Sequence, residues 1–149
     1  MFRLNRLTDY AVVVLSQMYE GPERLTSAHQ LSEQAGLPLP TVSKLLNLLS
    51  RHAIVASHRG ASGGYCLSRA PNRISVAEIV EAIEGPIALT ACAEGSPDPC
   101  DAQSLCPMAG NWNEVNRAIR TALDAVSLED MAPTGFGLPR RDGPVLAAE

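Results

Sequence analysis

Cys92, Cys100 and Cys106 fall within fifteen residues, in the stretch Cys92-Ala-Glu-Gly-Ser-Pro-Asp-Pro-Cys100-Asp-Ala-Gln-Ser-Leu-Cys106. Thiols that only fill a core sit among apolar neighbours. This stretch has few of them and shows neither helical nor strand periodicity. A loop that gathers three thiolates around one metal centre has this composition. Its gaps of seven and five residues are wider than the C-x-x-C knuckle of many zinc sites. Soft sulfur ligands suit iron–sulfur clusters and zinc alike, and a wide loop suits the bulkier centre better. Cys106-Pro107 is expected to open a helix, whose free N–H groups and dipole favour a negatively charged group.

The fourth cysteine, Cys66, lies between Tyr65 and Leu67 and reads as a packed free thiol. Three close cysteines cannot all pair, and outside oxidising compartments such clusters are more often metal-binding or redox-active than bridged. A cysteine nucleophile wants a histidine base nearby. The three histidines, His29, His52 and His58, all precede the cluster by more than thirty residues, so an enzyme is not expected. No run approaches the roughly 18 to 20 apolar residues of a membrane span, and the N-terminus lacks a signal-peptide cleavage site. The expectation is a cytoplasmic protein with no membrane partner and no small-molecule substrate.

The net charge of −4 conceals a division. Residues 1–73 carry eight Lys and Arg against four Asp and Glu, and residues 74–149 carry four against twelve. Phosphate contacts belong to the basic half.

The elements that must position these groups follow from hydrophobic spacing. Residues 7–20 place Leu7, Tyr10, Ala11, Val14, Leu15 and Met18 on one helical face, with Thr8 or Asp9 as a candidate cap and Gly21-Pro22 as the stop. Ser27 caps a short helix, Ala28 to Ala35, and Gly36 closes it. A second helix, from about Pro40 to Ala53, buries Val42, Leu45, Leu46 and Leu49. Helix, glycine turn, helix is the helix-turn-helix layout. Residues 54–58 and 65–68 are strands, joined through Arg59-Gly60-Ala61-Ser62-Gly63-Gly64, which adds a β-hairpin wing. Ser75 and Glu78 form a capping box on a helix over 75–84, and Gly85-Pro86 stops it.

Beyond Cys106, the residues Ala109, Trp112, Val115, Ile119, Leu123 and Val126 recur at spacings of three and four. This predicts a helix of about 20 residues with a narrow seam to bury on its own head or on a second copy; a homodimer is favoured. The fold is therefore expected to be mainly α. A winged helix-turn-helix head spans 1–73. A connecting helix, the cysteine loop and a long C-terminal dimerisation helix span 74–132, and a flexible tail spans 133–149.

On such a head the second helix enters the major groove of double-stranded DNA with its N-terminal residues nearest the bases. Thr41, Ser43 and Lys44 are its polar residues there. Arg51, two turns on, suits a phosphate, and Arg59 at the wing suits a phosphate or the minor groove.

The run Leu4-Asn5-Arg6-Leu7-Thr8-Asp9-Tyr10-Ala11-Val12, the turn Arg59 to Tyr65 and the three-cysteine loop resemble the IscR/NsrR-type family of winged-helix iron–sulfur regulators. Residues 36–45, 84–90, Cys106-Pro107 and Asn111-Trp112 are similar to the branch that regulates the SUF iron–sulfur assembly genes. The resemblance covers about residues 2–132. It implies a dimeric transcription factor, a repressor of assembly genes, holding one iron–sulfur cluster (2Fe–2S or 4Fe–4S) per subunit through Cys92, Cys100 and Cys106. In the IscR type a histidine three residues after the last cysteine completes the ligand set, and here Ala109 stands there. Asp9 matches the aspartate that NsrR-type members supply from the partner subunit, and is the candidate fourth ligand unless it caps the first helix. Pro38 and Pro40 replace polar residues of the IscR type, which implies a different operator. The competing reading is a winged-helix regulator whose cysteines bind zinc or act as a thiol redox switch.

Overall fold

The computed structural model describes residues 3–19, 23–98 and 100–132. The elements run α1 (Arg6–Ser16), α2 (Ala28–Ala35), α3 (Leu39–Arg51), β1 (Val55–His58), β2 (Gly64–Leu67), a 3-10 turn (Pro71–Arg73), α4 (Val76–Glu84) and α5 (Trp112–Asp124). No described helix is long and apolar enough to cross a membrane.

Each helix of the head starts and stops for a local reason. Asn5 caps α1, its side chain accepting from the Leu7 N–H at 3.1 Å, so neither Thr8 nor Asp9 is the cap. Thr8 is buried and its hydroxyl donates to Glu84. The expected stop at Gly21-Pro22 lies outside the described residues. Ser27 and Gln30 form a reciprocal capping box on α2, and Gly36 ends it with φ +65°, a conformation that costs any residue with a Cβ. Pro38 precedes α3 and Pro40 sits in its first turn, where a missing N–H costs nothing. The helix stops at Arg51, two residues earlier than expected. Ala53 turns left-handed (φ 54°) and the Ile54 N–H donates back to the Leu49 carbonyl at 3.0 Å, which reverses the chain into β1.

The wing pairs antiparallel, Val55 with Leu67, Ala56 with Cys66, Ser57 with Tyr65 and His58 with Gly64. Thr26, in the loop before α2, exchanges two backbone bonds with Tyr65 (2.9 and 2.8 Å), which fixes the wing to the helix-turn-helix. That docking needs Gly64. A Cβ there would stand 2.9 Å from the Thr26 carbonyl oxygen.

Ala11, Val14, Leu15, Leu31, Val42, Leu45, Leu46, Leu49 and Ile54 are fully buried and form the centre of the core. Ile74, Ile79 and Leu128 complete it from further along the chain. A smaller cluster of Val76, Ala77, Val80 and Ile87 joins α4 to the cysteine loop, with Leu4 and Leu123 against it.

The C-terminal helix departs most from expectation. It has 13 residues and begins at Trp112, not directly after Cys106. Residues 107–111 turn instead, with Gly110 at φ +80° and Pro107 unable to donate. Past Asp124 the chain folds back. The Val76 N–H donates to Val126, the Leu128 N–H donates to Ile74, and Tyr19 donates its hydroxyl to the Leu128 carbonyl. These bonds carry Leu128 into the head core and end the helix. Ile119 and Leu123 are half-buried on the molecule itself, while Trp112 and Val115 remain 45 % exposed. The apolar seam thus packs Leu123 on the α4 cluster on one side and leaves an open face on the other.

Candidate functional site

Two surfaces carry the candidate residues. On α3 the apolar stripe Val42, Leu45, Leu46 and Leu49 is wholly buried, which turns Lys44 and Arg51 outward, with Thr41 and Ser43 half-exposed beside them. Arg59 is exposed at the end of β1. Among the described residues, the ion pairs of the molecule use other cations. Arg69 meets Glu78 at 2.9 Å, and Arg120 meets Glu81 at 3.0 Å. Lys44, Arg51 and Arg59 enter none of those pairs. Asn47 completes the outward stripe with Lys44 and Arg51 at spacings of three and four, and is exposed. The sequence reading passed over it, although that same spacing marks it.

Cys66 is 8 % exposed in β2, with its Sγ 3.7 Å from His58 Nε2 across the wing. It is packed as expected and far along the chain from the other three cysteines.

The second surface is the strap between α4 and α5. Glu84, the last residue of α4, accepts from the Asn5 N–H at 2.7 Å and from the Thr8 hydroxyl. Asp9 follows directly on α1, exposed and not engaged as a cap, near the root of the strap. Ile87 is buried against α4. From there to α5 the described chain forms turns. Cys92 lies near Thr90, with Sγ 3.3 Å from Oγ1. The Cys100 and Cys106 carbonyls accept turn bonds from the Gln103 and Ala109 N–H groups, both at 3.1 Å. Cys106 stands in a turn six residues before α5, so the helix N-terminus expected to begin there lies elsewhere.

All four cysteines are free thiols, and Cys92, Cys100 and Cys106 are half-exposed. Among the described residues no three His, Cys, Asp or Glu side chains are grouped to hold a metal ion. The single chain therefore brings the three cysteines onto one strap without converging them. In kind the donors fit a thiolate-held centre, being three unbridged soft ligands on a segment whose turns leave their spacing adjustable. Zinc and iron–sulfur are both compatible with that set.

The electrostatics of the neighbouring helix ends are set by local bonds. Burial raises Glu78, but bonds from Ser75 and the Arg69 guanidinium outweigh it and hold the carboxyl below its ordinary value. Asp130 is lowered by the Ser127 hydroxyl and N–H. Tyr19 is raised by burial, then by Glu129 and Asp130.

Residues 4–134 match the Rrf2 family, described as "Iron-dependent Transcriptional regulator". The chain is 30 % identical over 133 residues to the HTH-type transcriptional regulator IscR of Xenorhabdus nematophila, covering 87 % of this chain and 78 % of that one. It is 30 % identical over 138 residues to the HTH-type transcriptional repressor NsrR of Streptomyces coelicolor, covering 89 % and 91 %. Among solved structures it resembles CymR, the global cysteine regulator of B. subtilis, with a TM-score of 0.65, 26 % identity and coverage of 89 % and 97 %.

Proposed function

Because this chain belongs to the Rrf2 family of transcriptional regulators, we propose that it is a homodimeric DNA-binding repressor of iron–sulfur assembly genes that senses iron or redox state through its cysteine strap. The observation that carries this reading is the placement of three unbridged thiols on the segment joining a winged helix-turn-helix head to α5.

Lys44 and Thr41 read or anchor the major groove, Ser43 lies beside them, Arg51 takes a phosphate, and Arg59 reaches the minor groove or a phosphate from the wing. Asn47 joins that face. Cys92, Cys100 and Cys106 would hold an iron–sulfur cluster, with Asp9 of the second subunit as fourth ligand. When bound, such a centre supplies sensitivity to oxidants and iron supply. The chain's own residues do the rest. Glu84 ties the strap's root to the start of α1, and Leu128 ties the far end of α5 into the head core. A strap rearranged on loading or loss therefore moves α5 against the head. Two heads read half-sites about one helical turn apart, so a small change in their spacing alters operator affinity. The open face of α5, with Trp112 and Val115, and the exposed Val126 just beyond the helix, supply the dimer contact. The head over 1–73 and the strap and helix over 74–132 form the working units; the expected tail over 133–149 lies outside the described residues. The protein acts in the cytoplasm on double-stranded DNA.

A second reading is supported by the likeness to CymR and by the unconverged thiols: the strap is a zinc site or a thiol switch. Absorption of anaerobically purified protein, with iron and acid-labile sulfide assayed on the same sample, separates the two. A cluster gives visible sulfur-to-iron bands with matched iron and sulfide, lost in Cys92→Ala, Cys100→Ala and Cys106→Ala and kept in Cys66→Ala. A protein still colourless after anaerobic reconstitution overturns the cluster reading and favours the second.

A further inference from the structure

Asparagine is among the weaker helix formers, because its amide competes for nearby backbone groups. The 13-residue α5 carries two, Asn113 and Asn116, one turn apart. Asn116 is only 7 % exposed. Its Nδ2 donates to the Ile87 carbonyl at 2.8 Å and its Oδ1 accepts from the Leu89 N–H at 3.0 Å. The Asn113 Oδ1 accepts from the Glu94 N–H at 2.8 Å. The strap passes α5 in turning backbone without a ladder partner. A buried group such as the Ile87 carbonyl must be bonded somewhere, and the Leu89 and Glu94 N–H groups follow it toward the exposed edge. These two side chains supply the partners.

Cys92 lies between the Leu89 and Glu94 bonds. Ala93 beside it is buried, and Thr90 Oγ1 stands 3.3 Å from its sulfur. Around Cys100 and Cys106, by contrast, the described bonds are backbone turns within the strap, and the neighbouring Leu105 is 90 % exposed. One thiol of the three is thus fixed to a helix from outside its own segment.

We propose that Asn113 and Asn116 are positioning residues for Cys92. They clamp residues 87–94 to α5, so that Cys92 is set in place by the helix and Cys100 and Cys106 close toward it. The same bonds make α5 follow any displacement of Cys92. The role in ligand placement rests on the reading of Cys92 as a ligand; the clamp itself is a property of the metal-free chain.

The test uses the full-length, reduced, metal-free protein. Alkylation by N-ethylmaleimide is followed in time, and each cysteine is read separately by peptide mass spectrometry. In the unaltered chain Cys92 reacts more slowly than Cys106. Asn116→Ala accelerates Cys92 about tenfold and Asn113→Ala about threefold, as expected for two lost bonds and one. Asn116→Asp sets a buried carboxylate oxygen against the Ile87 carbonyl and accelerates Cys92 at least as much as Asn116→Ala. Cys66 and Cys106 keep their rates. Unchanged Cys92 rates in all three variants would overturn the proposal. If Asn116→Ala loosens the whole head, Cys66 accelerates too, and Asn113→Ala then decides by whether Cys92 alone responds. Should reconstitution give a cluster, its decay in air quickens in the same order. Should it give none, the cluster reading fails while the alkylation rates still decide the clamp.

Discussion

The DNA-binding head is held together by side chains that exclude water, whereas the cysteine strap is held by three amide bonds and two buried side chains, Ile87 and Ala93. In α3 four leucine or valine side chains have no exposed surface, and each such burial stabilises by about 1.5–3 kcal/mol. The strap's clamp bonds are worth about 0.5–1.5 kcal/mol each, because water competes for the same groups. A surface that must present Lys44, Asn47 and Arg51 in fixed relation needs the first kind of support. A segment proposed to gather dispersed thiols suits the second, since a rigid core would forbid the rearrangement. The two regions meet at Glu84, which bonds to α1, and at Leu128, which enters the head core from beyond α5.

The sharpest way to break this contrast is a truncation in each region. Leu46→Ala should destabilise the protein by about 2–5 kcal/mol, since it opens a cavity in a closed core. Leu105→Ala, on the exposed strap, should change stability by less than about 0.5 kcal/mol. Urea denaturation of both variants measures the difference. A comparable loss from Leu105→Ala would mean that the strap is packed against something in solution.

Gly64→Ala tests how the wing is seated. The added methyl meets the Thr26 backbone, and the displacement should cost about 1–3 kcal/mol and weaken DNA binding. Denaturation midpoints and binding to duplex DNA report the two effects. Lys44→Ala should leave stability within about 0.5 kcal/mol while weakening duplex binding. If Lys44 contacts a phosphate, the slope of log affinity against log salt falls by about one. An unchanged slope with altered sequence preference would assign it to a base.

Smaller effects sharpen the boundaries between the regions. Glu78 is held below its ordinary value by Ser75 and Arg69, so its contribution is complete above the unfolded glutamate range. It is lost as pH falls through the lowered folded value. The carboxylate is more than a third exposed, which limits this to about 0.5 kcal/mol. Denaturation of Glu78→Gln should show a shallower loss of stability below pH 4.5. Ala53→Gly should stabilise by about 0.5 kcal/mol, because the left-handed turn after α3 disfavours a Cβ.

Much of this molecule follows from residue order alone. The stripes of α1, α3 and α4, the capping boxes at Ser27 and Ser75 and the glycine turns of the wing are local properties, fixed by side-chain spacing and by which residues can bond their own backbone. The candidate DNA face was legible for the same reason: once Val42, Leu45, Leu46 and Leu49 face inward, helical geometry turns Lys44 and Arg51 outward. The tertiary structure decided what depends on partners distant in the chain. Asn5 caps α1 by a local bond to Leu7, but Glu84 arrives from 79 residues away to bond the same turn. The seam of α5 divides because Leu123 packs against the α4 cluster, and the helix stops at Asp124 because Ile74 and Val76 take the bonds of the next residues. The clamp on Cys92 joins residues 19 to 29 positions apart, and hydrophobic periodicity carries no signal for an amide that bonds a backbone so far along the chain.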